Sequence, residues 1–144
     1  MSDFKLHARV QFTPRASSGQ FVSRVAAGGV NGVNSSLRML FDLSQSRVAV
    51  KTGELKGSGA IIEATDKGGM ATGSVVYTAG HAGYVEFGTG IRGSSSSGAS
   101  SKVSYSPTWP GMPAQSYLRS SADELRQAIK AQMRQDLSVS IRTK

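Results

Sequence analysis

The chain contains no cysteine, which excludes a disulfide framework, a thiolate metal site and a cysteine nucleophile. Histidine occurs only at His7 and His81, a poor start for a zinc site that must then be built from other ligands. Aromatic residues make up 7% of the chain and do not interleave with the basic ones, so base-stacking platforms are not expected. No apolar run approaches the roughly 20 residues a membrane-spanning helix needs. Met1-Ser2-Asp3-Phe4-Lys5 lacks the apolar centre of a secretory leader, and synthesis in the cytoplasm with no membrane partner is expected. Acid is also scarce, with nine Asp and Glu against 17 Lys and Arg and a net charge of +8.

That charge is unevenly spread. Residues 1–50 hold six basic and two acidic residues, 51–90 hold three and four, and 91–144 hold eight and three. Two basic flanks therefore enclose a near-neutral middle, a balance that suits nucleic acid or an acidic protein surface as neighbour and equally a solvated exterior. Arg119, Arg126, Lys130 and Arg134 spread around the last predicted helix instead of forming a dense stripe, so weak contact with backbone phosphate is the most this pattern supports.

At 144 residues, 38% hydrophobic with 17 glycines, a single α+β domain is expected, with a small antiparallel sheet packed against two helices and extended arms or loops. Phe4, Leu6, Ala8, Val10 and Phe12 alternate with Lys5, His7, Arg9 and Gln11, the period of a half-buried strand within an N-terminal strand or arm over 1–16. From Ser17 to Val48 the period becomes helical through Phe21, Val22, Val25, Val33, Leu37, Leu40 and Phe41, with Ser17 or Ser18 as N-cap. Gly28, Gly29 and Gly32 weaken its middle by roughly 1 kcal/mol each relative to alanine. Either they break the helix or they admit close approach of another element; one long helix is expected.

A glycine corner over 51–58 precedes a strand over 59–65. Asp66-Lys67-Gly68-Gly69 reads as a hairpin turn, and 70–78 returns as a second strand. The stretch 79–85 has room for one helical turn. Residues 91–112, rich in serine and then proline, read as a flexible loop. Within it Trp109, the only tryptophan, is either a plug on the domain's own core or an anchor for a neighbour. A closing helix spans about 114–137 and starts, or restarts, at Ser121, which has capping-box spacing to Glu124. Residues 138–144 form a basic tail, with Val139 and Ile141 suited to an edge strand.

Catalytic constellations are missing. No serine lies in a G-x-S-x-G elbow, and no Walker loop or G-x-G-x-x-G follows a strand to open a helix. His81 has no nearby acid except Glu86, and a paired-carboxylate arrangement of Glu63 with Glu86 across the sheet is the one alternative. No enzyme activity, cofactor or metal is expected.

Three short motifs stand in order. Thr52, Gly53, Leu55, Lys56 and Ser58 form the first; Val85, Glu86, Phe87, Gly88 and Thr89 the second; Ala114, Gln115, Leu118 and Arg119 the third. Their order and spacing over residues 18–137 resemble the neck and tail-completion proteins of long-tailed bacteriophages. Ser116-Tyr117 and Ser121 depart from that pattern. The resemblance implies a non-enzymatic virion protein, made in the bacterial cytoplasm. Its copies would close into a ring, often a hexamer, at the head–tail interface, as neck or tail-terminator ring. Expected partners are further copies of itself, the connector and tail-tube proteins, and DNA in the channel through non-specific contact; Trp109 and the motif residues are the interface candidates. A basic DNA-binding accessory protein is the rival. Glu86, a carboxylate between two apolar residues, is expected either to pair with a basic group or backbone N–H groups, or to stand exposed on an edge strand.

Overall fold

The alternation near the N-terminus becomes strand β1, Leu6–Phe12. A computed structural model describes residues 6–12, 19–48, 53–67 and 70–142 of the chain. Ser17, Ser18 and Thr52 therefore lie outside the described residues, as do Gly68 and Gly69 of the expected turn. The helical spacing that follows β1 folds as one unbroken helix, α1 (Gly19–Arg47), which buries Val25, Val33, Leu37 and Leu40.

Close approach explains the glycines in the middle of α1. The last helix, α5 (Tyr117–Arg142), runs antiparallel to it. A Cβ on Gly28 would lie 2.8 Å from Ser140 Cβ, and one on Gly32 would lie 3.3 Å from Met133 Cα. The missing methyl groups let the two backbones meet, and dispersion contacts along the seam offset the weak local helix propensity.

Strands β2 (Gly59–Lys67) and β3 (Met70–Tyr77) complete a three-stranded antiparallel sheet of order β1-β3-β2. Asp66 and Lys67 belong to β2 rather than to a turn. Ala71, Gly73, Val75 and Tyr77 share the face turned to α1, and a Cβ on Gly73 would strike Leu37 Cδ1 at 2.5 Å. The ladder slips between Ile62 and Thr65, where the amide of Ala64 donates to Asn34 Oδ1 of α1 at 2.7 Å. That bond occupies a donor the irregularity frees. The architecture is α+β, a small sheet against a long N-terminal and a C-terminal helix.

Several expectations are corrected. The segment 138–142 is helical, not an edge strand: α5 continues through Val139 and Ile141 to Arg142, and Ser140 Oγ donates to Arg24 O at 2.7 Å. Ser121 caps nothing, since the helix begins four residues earlier. Its side chain is buried and its hydroxyl donates to Tyr117 O at 2.6 Å. Residues 6–12, expected as a strand or arm, are the strand, paired along β3. The loop expected over 91–112 starts as a short helix, α4 (Gly90–Ser94), and continues through bonded turns. Ser96 Oγ donates to Gly93 O at 2.7 Å and accepts from Ala114 N at 3.2 Å. Tyr105 OH donates to Phe87 O at 2.9 Å and accepts from Ser100 N at 3.0 Å. The serines hold the segment to its own subunit instead of leaving it free.

Candidate functional site

The second and third motifs meet. The small residues after β3 form α3 (Ala82–Phe87), so Val85, Glu86 and Phe87 are helical and Glu86 does not stand on an edge strand. Its side chain is 0% exposed, although α3 is only six residues long. What buries it is the start of α5, folded across α3 by paired backbone bonds. Gln115 N donates to Val85 O at 2.9 Å and Ser116 N to Glu86 O at 3.0 Å.

The Glu86 carboxylate then reaches the first turn of α5. Oε2 accepts from Leu118 N and Oε1 from Arg119 N, both at 2.9 Å. A helix leaves its first four N–H groups without internal partners and carries a partial positive charge there, so a carboxylate is the favoured acceptor. Here the cap comes from a residue 32 positions earlier in the chain instead of from the helix's own N-cap. Ser116, the residue before the helix, has φ 48°.

Arg119 closes the cluster. Its Nε donates to Glu86 Oε1 at 3.1 Å, its terminal nitrogen donates to Gly98 O and to Ser116 Oγ, and its guanidinium lies 4.5 Å over the Phe87 ring. The Arg119 side chain is 40% exposed, so the guanidinium covers the buried carboxylate and faces water on its other side. Glu86 therefore pairs both with a cation and with backbone N–H groups, within one subunit.

The segment leaving α3 is pinned by backbone crowding. Thr89 N donates to Met112 O at 2.8 Å, and Met112 N donates to Thr89 O at 3.0 Å. Gly88 has φ 76° and ψ 176°, a region open essentially to glycine alone, and a Cβ there would stand 2.6 Å from Ala114 N and 2.7 Å from Met112 O. Gly88-Thr89-Gly90-Ile91-Arg92-Gly93 carries the glycine spacing of a dinucleotide fingerprint. Yet it follows a helix, and the backbone of 109–114 fills the space a phosphate would need.

The first motif forms a separate corner joining α1 to β2. Gly53, at φ 78°, precedes the short helix α2 (Glu54–Gly57). Leu55 enters the core, Lys56 is exposed while its carbonyl accepts from Gln45 Nε2, and Ser58 Oγ donates to Leu55 O. Leu55 and Leu118 belong to one apolar cluster, which links this corner to the joint. The Gln115 side chain is exposed and contributes only its backbone. Trp109 is 56% exposed, so it does not plug the core; with Tyr84 it lines a shallow apolar groove.

Neither candidate catalytic pairing, Glu63 with Glu86 or His81 with Glu86, forms among the described residues. Glu63 is exposed on β2, 3.9 Å from Arg38, and does not approach Glu86. His81 precedes α3 with its side chain uninvolved in a cap. Among the described residues no three His, Asp or Glu side chains gather as metal ligands, and every buried side-chain nitrogen or oxygen has a partner. Of the five basic residues on α5, Arg119 is held by Glu86 and Arg126 pairs with Asp123 at 2.9 Å.

Sequence reasoning missed the tyrosine pair beneath the joint. Tyr77 and Tyr117 are fully buried and meet edge to face at 5.0 Å; Tyr77 OH bonds Ser44 Oγ at 2.7 Å and Tyr117 OH donates to Ala82 O. Burial first, then the Glu86 charge and the neighbouring Tyr77, push the Tyr117 hydroxyl well above its ordinary value. Burial also raises Tyr77, opposed by the Ser44 bond and reinforced by Glu86. Folded-state values above the unfolded value mean that this stability is whole below about pH 10 and is lost as pH rises beyond it. Unfolding free energy is expected to fall above pH 10 by up to about 1.4 kcal/mol per pH unit for each tyrosine. Tyr77→Phe should make that slope shallower in urea titrations. A stability that stays flat to pH 11 would contradict the assignment.

Compared with known protein families, curated proteins and solved structures, the chain matches none.

Proposed function

We propose that this chain is a non-enzymatic structural protein of a long-tailed bacteriophage. In this reading its copies close into a ring, a hexamer, at the head–tail interface of the virion. The ring serves as the tail-completion (terminator) or neck element that joins tail tube to connector around the DNA channel. The observation carrying this reading is that Val85–Thr89 and Gln115–Arg119, the motif residues behind the resemblance, build one joint whose buried polar groups are all used internally. Residues spent on holding two helices in fixed relation suit a scaffold, since a catalytic site keeps a reactive group available.

The same joint supports the surface offered to neighbours. Gly88, Thr89 and Gly90 are clamped to 109–112, and that clamp presents Trp109, Tyr84 and Ile91, which are 56%, 40% and 47% exposed. Exposed large apolar residues around a tryptophan are typical anchors of protein interfaces. A heterologous, head-to-tail contact that closes by rotation uses such a patch once per subunit.

Native mass measurement of the purified chain, and of particles carrying it, tests the proposal. A closed oligomer is expected, and Trp109→Ala should shift it toward monomer without changing the circular dichroism spectrum. A strict monomer that never joins a particle overturns the reading.

A further inference from the structure

We propose that the uncovered face of the sheet is a binding surface for the phosphodiester backbone of nucleic acid. One face of the three strands is sealed by α1, as the Gly73–Leu37 contact shows. On the other face the register sets Arg9 beside Ser74 and Ile62, and Lys67 beside Met70, with Thr72 opposite Thr65 between them. These residues line a shallow concavity of about 330 Å³.

Its chemistry is one-sided. Arg9 and Lys67 are both exposed, and no ion pair or other polar partner engages either among the described residues. Three hydroxyls, of Thr65, Thr72 and Ser74, lie between the two cations, and no carboxylate lines the surface. The nearby acids are turned elsewhere: Asp66 pairs in register with inward-facing Ala71, and Glu63 lies beside Arg38. Cations flanking a row of hydroxyl donors are the groups that bind phosphate oxygens. No Phe, Tyr or Trp is among the residues lining the concavity, so bases have no ring there to stack on, and contact is expected to be indifferent to sequence.

The exposed side of α5 is a weaker candidate for the same partner. Its Arg126 is already paired with Asp123, and Asp136 interrupts the run between Arg134 and Arg142. The sheet face therefore provides the specific complement to the +8 net charge. This inference does not depend on ring formation, because every group named belongs to one subunit.

Fluorescence anisotropy with a mixed-sequence 20-base-pair duplex, between 50 and 200 mM salt, tests it. The unaltered chain should bind at low salt and weaken steeply as salt rises. Arg9→Gln with Lys67→Gln should lower affinity about tenfold and reduce the slope of log affinity against log salt by about 1.8, the value for two phosphate contacts. Lys130→Gln with Arg134→Gln removes the same charge from α5 and should cost far less. Thermal unfolding of both variants checks that the fold is kept, and a single Lys67→Gln variant, expected to halve the slope change, replaces the pair if it is not. Equal losses from the two pairs would make the effect one of bulk charge and overturn the proposal. So would a lack of binding at 50 mM salt, or equally tight binding of poly-glutamate through Arg9 and Lys67.

Discussion

Glu86→Ala is expected to lower folding stability by about 3 kcal/mol, the largest loss from any single truncation in the joint. Three donors lose their acceptor at once: Leu118 N, Arg119 N and Arg119 Nε. The two amides lie at the first turn of α5, where no other carboxylate stands and where loss of a cap alone costs about 1 kcal/mol. A bond to a charged group is worth about twice a neutral one, and the vacated space adds a cavity. Arg119 tempers the loss, because its side chain is 40% exposed and water can solvate the released guanidinium. The expectation therefore sits at the low end of the roughly 3–5 kcal/mol seen when a fully buried ion pair is broken. Glu86→Gln keeps the volume and one acceptor but turns an amide NH2 toward a donor, so about half that loss is expected. Urea unfolding of the two variants measures both. A loss under about 1 kcal/mol for the alanine variant would show that α5 does not depend on this cap.

Gly88→Ala should cost about as much, for a different reason. The residue needs a backbone conformation that alanine reaches only with strain of about 1–3 kcal/mol. Its new Cβ would also press on Ala114 N, Met112 O and Gly93 Cα, all of them backbone and unable to swing aside. A total near 3 kcal/mol is expected, along with a lower yield of any oligomer that uses the Trp109 surface. Gly53→Ala is the milder counterpart. It has a similar φ of 78° but a ψ of −9°, in the left-handed helical region, and nothing within 4 Å of an added Cβ, so it should lose only about 1 kcal/mol. Gly57→Ala, with ordinary φ and open space, should be neutral or slightly stabilising and serves as the control. Similar values for Gly53→Ala and Gly88→Ala would show that both the strained conformation and the crowding at Gly88 relax away.

These two positions illustrate what a reader of the sequence can and cannot see. Gly53 and Gly88 look alike in the chain, each beside a hydroxyl residue and a charge, and both are legible as corners. Only the folded chain distinguishes them: Gly53 has ψ −9° and open space, whereas Gly88 has ψ 176° and is crowded by Gly93 and by Met112 and Ala114, more than twenty residues further on. Glu86 was legible as an anomaly, since a carboxylate flanked by Val85 and Phe87 must be either exposed or paired. Its partner was not, because the cap it makes spans 32 residues and leaves no local signature. The Ser121–Glu124 spacing misled for the converse reason: a real local signal for a helix start was overridden once Glu86 capped the helix four residues earlier.

The serine-rich segment failed in a third way. Its composition correctly signals a stretch with little to bury, but hydroxyl groups that hydrogen-bond backbone can hold such a stretch in place, as Ser96 does through Gly93 and Ala114. Likewise the exposed Val139 and Ile141 suit a strand by β-branching, yet the antiparallel seam with α1 carries the helix through them.

Period alone determined the α+β class, the single long first helix, the face of β1 turned inward and the hairpin of β2 and β3, since all of these follow from apolar spacing within a dozen residues. The lack of cysteine and of any catalytic spacing likewise needed only the chain itself. Tertiary structure decided why Gly28 and Gly32 are glycine, where α5 begins, what Glu86 binds, and that Arg9 and Lys67 share a face without acid. Each of these is a contact between residues far apart in the chain, set by how the elements pack and not by what any segment prefers alone.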